Sequence, residues 1–140
     1  VPKVVLPAQT RIPEPAIDWE GTLVPLTPVV SVEPYDPVDL DRVAAVLLAP
    51  PVAAWAAQRR GGTGLSREAL RLSATDVESI PLPTEPTAWS KAAGLILDGR
   101  GDTSDPTARV LRVAELMTAA YEADGAVLRW WRDRFERLRR

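Results

Sequence analysis

The first forty residues alternate short apolar runs with prolines, a pattern typical of strands at the edge of a sheet. Two stretches have β character, residues 3–11 (KVVLPAQTR) and 23–33 (LVPLTPVVSVE). Because proline cannot donate to a strand ladder, these segments are restricted to edge strands, strand ends or extended loops. Between them, residues 18–21 (DWEG) form a turn candidate in which Gly21 accepts positive φ. The pattern predicts a small antiparallel β unit.

From residue 36 onward the apolar positions recur at helical spacing, and prolines and glycines mark the helix boundaries. Asp36 is a candidate N-cap with Pro37 at the first helical position, and Asp105 with Pro106 repeats this start. Helices are predicted over residues 37–49, 51–60, 67–72, 87–97, 106–123 and 126–138, with one more helical turn after a Ser73 or Thr75 cap.

The last predicted helix has one clearly apolar face. Leu128, Trp131, Phe135 and Leu138 recur at helical spacing, which predicts that they pack inward together. Trp130 lies off that face, one turn before Arg134, where a cation–π contact is expected. Strands first and helices afterwards predict an α+β fold, a small N-terminal antiparallel β unit followed by a helical C-terminal half.

Composition excludes several kinds of chemistry. The 140-residue chain has no cysteine and no histidine, which removes disulfides, Cys/His zinc sites, thiol nucleophiles and imidazole relays. A formal net charge of -2 provides no global attraction to nucleic acid or to anionic lipid. No apolar run approaches the roughly 20 residues needed to span a bilayer, and no secretory signal is recognisable. We therefore expect a cytoplasmic protein, and the start at Val1 predicts a piece of a longer one.

A glycine-rich loop, residues 61–64 (GGTG), invites a phosphate-binding interpretation, because backbone N–H groups in such turns bind anions. The fingerprints of nucleotide loops are absent, since no GK[ST] follows and a helix rather than a strand precedes it. The loop is therefore either a connector or a contact to a nucleic-acid backbone.

Cationic and hydroxyl side chains are densest around this loop. Arginine matches both phosphate oxygens and the major-groove edge of guanine, so the cluster is a DNA-binding candidate. The alternative is a solvated face with arginines at the end of a helix. The cluster consists of Arg59, Arg60, Arg67 and Arg71, with Thr63 and Ser66 as neutral donors.

Two other charged regions have more than one interpretation. The C-terminal WWRDRFERLRR segment interleaves arginines with aromatic residues, so it is able either to stack bases, to pack as an amphipathic helix, or to dock against another part of the protein. The acidic residues of the first segment offer either a catalytic pair of carboxylates or turn and capping groups, and most of them lie beside prolines or at helix starts, where turn and capping roles explain them. The RGD tripeptide near residue 100 is treated as coincidence.

Two stretches together resemble a known family. Residues 3–32 combine Gln9-Thr10-Arg11 with an Asp-Gly turn and a V-P-x-T-P-V strand, and residues 43–83 combine a Trp-containing helix with G-T-G-x-S, A-L-R-L-S and I-P-L-P. This arrangement resembles the C-terminal target-recognition region of bacterial adenine-specific, S-adenosylmethionine-dependent DNA methyltransferases of restriction–modification type. It is similar to the recognition domains of type I specificity subunits.

The resemblance implies a domain organisation and a division of labour. Residues 1–100 would be a target-recognition-like α+β domain, and residues 101–140 a helical hairpin packed on it. The catalytic Asn/Asp-Pro-Pro-aromatic tetrapeptide and the glycine-containing cofactor loop of the family are absent here. The fragment is therefore expected to hold no cofactor and no metal and to catalyse nothing alone, whereas the parent enzyme would use S-adenosylmethionine.

The resemblance also implies that the chain recognises double-stranded DNA in the major groove, with a separate catalytic domain as its second partner and no membrane. The alternative is a protein-interaction or scaffolding domain whose helices dock a partner subunit. The DNA-binding candidates are Gln9, Thr10, Arg11, Arg59, Arg60, Thr63, Ser66, Arg67 and Arg71.

Overall fold

The computed structural model describes residues 1–26, 29–60 and 70–139 and has the predicted α+β architecture. A β unit at the N-terminus is followed by a largely helical C-terminal half. The strands are β1 (Lys3–Pro7), β2 (Gln9–Thr10), β3 (Ala16–Asp18), β4 (Val29–Val32) and β5 (Leu70–Arg71). A 3₁₀ turn (Pro37–Asp39) precedes the helices α1 (Leu40–Leu48), α2 (Pro50–Arg60), α3 (Ala74–Glu78), α4 (Pro86–Asp98), α5 (Pro106–Ala120) and α6 (Gly125–Leu138).

The N-terminal sheet is antiparallel with strand order β3-β1-β4. Strand β3 was not predicted, because it is only three residues long and directly precedes the predicted turn. That turn is confirmed: Gly21 has φ of 71° and donates its N–H to the carbonyl oxygen of Asp18. Among the described residues of the predicted strand 23–33, Val29–Val32 pair with β1, whereas the backbone N–H of Leu23 donates to the Asp18 carboxylate instead of to a neighbouring strand.

A second, two-stranded antiparallel sheet joins β2 to β5, and we call it the β2–β5 ribbon. Gln9 pairs with Arg71 and Thr10 with Leu70, while Leu72 donates its N–H to the carbonyl oxygen of Ala8. The predicted helix 67–72 is therefore wrong at its C-terminal end. Leu70 and Leu72 are buried and Arg71 is exposed, and this alternation follows the period of a strand rather than that of a helix.

The helix caps agree with the sequence pattern. The side chains of Asp36, Ser73 and Asp105 accept hydrogen bonds from backbone N–H groups at the starts of the 3₁₀ turn, α3 and α5. Helix α5 ends at Ala120, earlier than predicted. The carbonyl oxygen of Ala120 accepts the backbone N–H groups of Thr84 and Glu85, which lie in the segment before α4. This oxygen is therefore not used for a further helical turn.

Three hydrophobic clusters hold the elements together. The first contains Ala45, Val46, Ala92, Val113 and Met117, which belong to α1, α4 and α5, so helices on both sides of residue 100 share one core. The second joins β1 and the β2–β5 ribbon to α1 and α2. The third forms between α2, α5 and α6.

The third cluster confirms the apolar face predicted for the last helix. Trp131 and Phe135 are buried and stack with ring centroids 4.9 Å apart, and Leu128 and Leu138 pack beside them. The Arg134 guanidinium lies over the Trp130 ring, 4.8 Å from its centroid, as predicted. Within the described residues no single helix has the length and apolar composition to cross a membrane, although α1 with its preceding turn and α2, bent by 59°, pass that test as a pair.

Candidate functional site

The β2–β5 ribbon brings together candidate residues that are distant in the sequence. Gln9 and Arg71 are directly opposed partners, so their side chains lie on the same face of the ribbon. The other face carries Leu70, which is buried in the second hydrophobic cluster. The face with Gln9 and Arg71 is therefore the outer one, and Arg71 on it is exposed.

Thr10 and Arg11 occupy different environments at the end of the same strand. Thr10 is half-buried, and its hydroxyl donates to the carbonyl oxygen of Ile12 at 2.6 Å. It lies opposite Leu70 and therefore on the inner face. Arg11 is exposed at the position where the chain leaves the ribbon. Thr10 thus stabilises the turn after β2, whereas Arg11 and Gln9 are the accessible candidates of this strand.

Arg59 and Arg60 end α2 beside β5, and both contact one carboxylate. Arg59 Nε donates to Asp76 Oδ1 at 2.9 Å, and Arg60 Nε donates to both carboxylate oxygens at 3.0 Å. Asp76 also accepts the backbone N–H of Ser73 at 2.9 Å and its hydroxyl at 3.0 Å. The carboxylate is only 1% exposed, so we call Arg59, Arg60, Asp76 and Ser73 the buried-carboxylate cluster.

These contacts determine the charge state of Asp76. The hydrogen bond from the Ser73 backbone lowers its pKa, burial acts in the opposite direction, and the two arginines lower it further. The net result holds the pKa of Asp76 far below its ordinary value. Asp76 is therefore ionised in the folded protein and pairs with both guanidinium groups.

The arginines themselves are not enclosed. The side chains of Arg59 and Arg60 are 43% and 42% exposed. The Arg59 guanidinium also lies over the ring of Trp55, 5.3 Å from its centroid. The two arginines consequently lie at the surface while their Nε atoms bind a group beneath them.

Thr63, Ser66 and Arg67, together with the glycine-rich loop, lie outside the described residues, so their assignment stays a prediction. The C-terminal arginines are mainly engaged with acids: Arg139 with Glu14, Arg137 with Asp133 and Arg132 with Glu115. Because Trp131 and Phe135 are buried, these two rings are unable to stack on bases in this structure.

Asp76 belongs to this site, although the sequence alone did not identify it as a candidate residue. The Ser-x-x-Asp spacing at residues 73–76 was the available signal, since it is a capping-box pattern, and the structure contains that box. Nothing local indicated that the same carboxylate would also receive two arginines from α2. In the described ranges 1–26, 29–60 and 70–139, no group of three or more metal-ligating side chains is arranged to hold a metal ion.

A second buried carboxylate lies in the β unit. Asp18 contacts Lys3 Nζ at 3.0 Å and accepts the N–H groups of Gly21, Thr22 and Leu23. Burial acts to raise the pKa of Asp18, but the hydrogen bonds from Leu23, Lys3 and Thr22 outweigh it and lower the pKa to about 2. Asp18 thus fixes the start of the 22–26 segment, whose Leu23, Val24 and Leu26 are 56%, 81% and 74% exposed.

Acid should destabilise the protein through both carboxylates. In the unfolded chain an Asp titrates near 3.9, whereas the folded pKa values of Asp18 and Asp76 are lower, so the unfolded state binds more protons as the pH falls. Their stabilisation is therefore complete above about pH 5 and is lost progressively below about pH 4. Urea unfolding at pH 6, 4 and 3 measures this loss. In Asp76→Asn the free energy of unfolding should depend less steeply on pH than in the wild type. An unchanged pH dependence in that variant would contradict the assignment.

Comparisons with known proteins returned no relatives. No protein-family description matches the chain, no curated protein matches it, and no solved structure matches its fold.

Proposed function

We propose that this chain is a sequence-specific DNA-recognition domain of an S-adenosylmethionine-dependent DNA adenine methyltransferase and is not catalytic by itself. The observation that carries the proposal is the β2–β5 ribbon. It places Gln9 directly opposite Arg71, and Ser73 and Asp76 of the buried-carboxylate cluster follow β5 in the chain. Residues chosen from the sequence for their hydrogen-bonding chemistry thus share one surface although they are far apart in the chain.

The chemistry of this surface suits base recognition. A two-stranded antiparallel ribbon fits the major groove of B-DNA. Glutamine donates and accepts in the pattern that adenine presents there, and arginine donates twice to guanine. Gln9 and Arg71, side by side on the outer face, therefore offer the pair of groups that reads adjacent adenine and guanine positions.

The net charge of the chain limits how tightly such a domain binds DNA by itself. Phosphate contacts supply most non-specific affinity, and a net charge of -2 leaves little of it. A catalytic domain that also contacts the duplex, and that binds S-adenosylmethionine, would supply the missing affinity. The recognition domain then contributes the choice of sequence, and the catalytic domain contributes the methyl transfer.

Selection from a random duplex library tests the proposal. At about 50 mM salt, where electrostatic binding is strong, the chain should enrich one short motif. Because a bidentate base contact is worth about 1–3 kcal/mol, Arg71→Ala should weaken binding to that motif by roughly tenfold or more and relax one position of it. Gln9→Ala should relax a neighbouring position. Fluorescence anisotropy with the selected duplex and its single-base variants measures both effects.

Lys91→Ala is the matched control, since it removes one exposed positive charge from α4, which packs mainly on α1 and α5. It should leave the motif and the affinity unchanged. The proposal fails if the wild-type chain enriches no motif, or if Arg71→Ala and Lys91→Ala behave alike.

A protein-interaction domain is the second candidate, and one observation favours it. Leu23, Val24 and Leu26 are large aliphatic side chains that project from the segment anchored by Asp18. Exposed aliphatic groups on an ordered support are typical of docking surfaces. A catalytic domain is the partner we propose for this surface, so docking and DNA recognition are compatible. If docking is the only role, the library selection returns no motif.

A further inference from the structure

We propose that a groove lined by α1 and by residues 77–82 binds a cationic amphipathic helix of a partner protein. We call it the α1 groove, and its volume is about 570 Å³. The inference goes beyond DNA recognition and does not depend on it. It rests on the apolar walls of the groove and on two carboxylates that lie at it.

Aliphatic side chains form much of the lining of the α1 groove. Val43, Val46 and Leu47 line it from α1, at the i, i+3 and i+4 spacing that places them on one helix face. Ile80 and Leu82 line it from the segment after α3, and Leu82 is 66% exposed. An amphipathic helix lays its apolar face into a groove of this kind.

Two carboxylates at the α1 groove lack cationic partners. Asp39 directly precedes α1, and Glu78 ends α3. In the part of the chain that the structure describes, neither side chain forms an ion pair. Arg42 also lines the groove, but its Nη2 donates to Ser90 Oγ at 3.4 Å and its guanidinium lies over the Trp89 ring, 5.6 Å from the centroid. Arg42 therefore faces α4 and leaves both carboxylates unpaired.

The charges at another large cavity are already paired. This cavity has a volume of about 500 Å³ and is lined by residues of β3, α1, α4 and α5. Arg100 at this cavity pairs with Glu20, and Arg109 pairs with Asp102, each at 3.2 Å. It therefore offers no unpaired charge that would select an occupant, in contrast to the α1 groove.

Charge complementarity identifies the class of partner. Unpaired carboxylates repel DNA phosphates and anionic lipid headgroups, and they attract lysine or arginine side chains. The groove follows α1 from Asp39 to Leu47, about 12 Å at 1.5 Å per residue, which corresponds to about two helical turns. The expected partner is a helix with apolar residues at i, i+3, i+4 and i+7 and with lysine or arginine beside them.

Selection from a displayed peptide library tests this proposal. One half of the library contains helical peptides on an alanine background with variable surface positions, and the other half contains proline-rich extended peptides. The wild-type chain should select helices with large apolar residues at i, i+3, i+4 and i+7 and with an excess of lysine and arginine. Asp39→Asn/Glu78→Gln should bind a selected helix about three- to tenfold more weakly and should select no excess of cationic residues.

Leu82→Ala tests the apolar contact, and two control variants act outside the groove. Leu82→Ala should weaken binding of the selected helix by about tenfold, whereas Leu97→Ala, which truncates another exposed leucine, should not change it. Asp98→Asn/Glu136→Gln removes the same charge from two exposed carboxylates and should also leave the affinity unchanged. Titration calorimetry with the selected helix measures all four variants.

The other outcomes contradict the proposal. Selection of extended peptides would assign the groove to a strand, and a dimer in sedimentation that Leu82→Ala abolishes would assign it to a second copy of the chain. No selected peptide, selected helices without excess cationic residues, or equal effects of Leu82→Ala and Leu97→Ala would also overturn it. Asp39→Asn/Glu78→Gln should leave the DNA motif unchanged, so helix docking and DNA recognition fail or hold independently.

Discussion

Replacing both Arg59 and Arg60 with alanine should destabilise the protein severely, whatever its effect on DNA. The change leaves Asp76 buried without either cationic partner, and an unpaired buried charge costs about 3–5 kcal/mol. That is a large part of the roughly 5–15 kcal/mol that stabilises a typical domain. Urea unfolding followed by circular dichroism at pH 7 measures the loss.

The chain contains a matched control for this experiment. Arg112 and Arg132 also share one carboxylate, that of Glu115, at 2.9 and 3.4 Å, but Glu115 is 40% exposed. Exposed pairs contribute about 0–1 kcal/mol, so Arg112→Ala/Arg132→Ala should have a small effect. Adding Asp76→Asn to the Arg59/Arg60 variant should restore much of its stability. Equal losses in the two double variants would show that burial of Asp76 is unimportant.

Trp131→Ala should produce a loss of similar size by a different mechanism. The side chain is fully buried and stacks on Phe135 within the cluster that joins α6 to α2 and α5. Removing a buried tryptophan leaves a cavity and costs about 3–5 kcal/mol. Chemical denaturation of the purified variant measures the change in the free energy of unfolding.

Its neighbour in the sequence provides the contrast. Trp130 is half-buried, packs at the edge of the same cluster and contacts the Arg134 guanidinium. A surface cation–π contact is worth about 0.5–1 kcal/mol, so Trp130→Ala should be much milder than Trp131→Ala. If both variants lose the same stability, the orientation of α6 described above is wrong.

Arg59 and Arg60 contribute to stability as well as to the proposed DNA surface, so the choice of substitution decides what a binding experiment measures. An alanine double variant at Arg59 and Arg60 confounds lost binding with lost structure. Substitutions that keep Asp76 paired, or that act on Arg71 of the ribbon, separate the two effects. The comparison of salt slope with selected motif then distinguishes residues that contact phosphates from residues that contact bases.

Local signals predicted most of the helical half. Aspartate and serine caps, prolines at helix starts and the apolar period of α6 depend on neighbours within a few residues, and the structure contains each of them. Prediction failed where a short segment had no strong preference of its own. Leu70 and Arg71 were assigned to a helix, but pairing with Gln9 and Thr10 makes them a strand.

In the candidate site, too, the sequence predicted the kinds of side chain but not the contacts between distant segments. Residue chemistry identified Gln9, Arg11 and Arg71 without any coordinates, because amide and guanidinium groups are the ones that bind base edges and phosphates. The proximity of Gln9 and Arg71 was not predictable, since it depends on a strand pair between distant parts of the chain. The partner of Arg59 and Arg60 was equally hidden, because Asp76 had a sufficient local role as a capping residue.

The amino-acid sequence by itself determined the α+β class, the helix starts, the inward face of α6 and the chemical kinds of side chain available for binding. All of these follow from interactions between residues close in the chain. Tertiary structure alone decided that β2 pairs with β5 and that one buried carboxylate binds two surface arginines. Such contacts form between segments that meet only after the hydrophobic clusters have assembled, so their free energy depends on the whole fold.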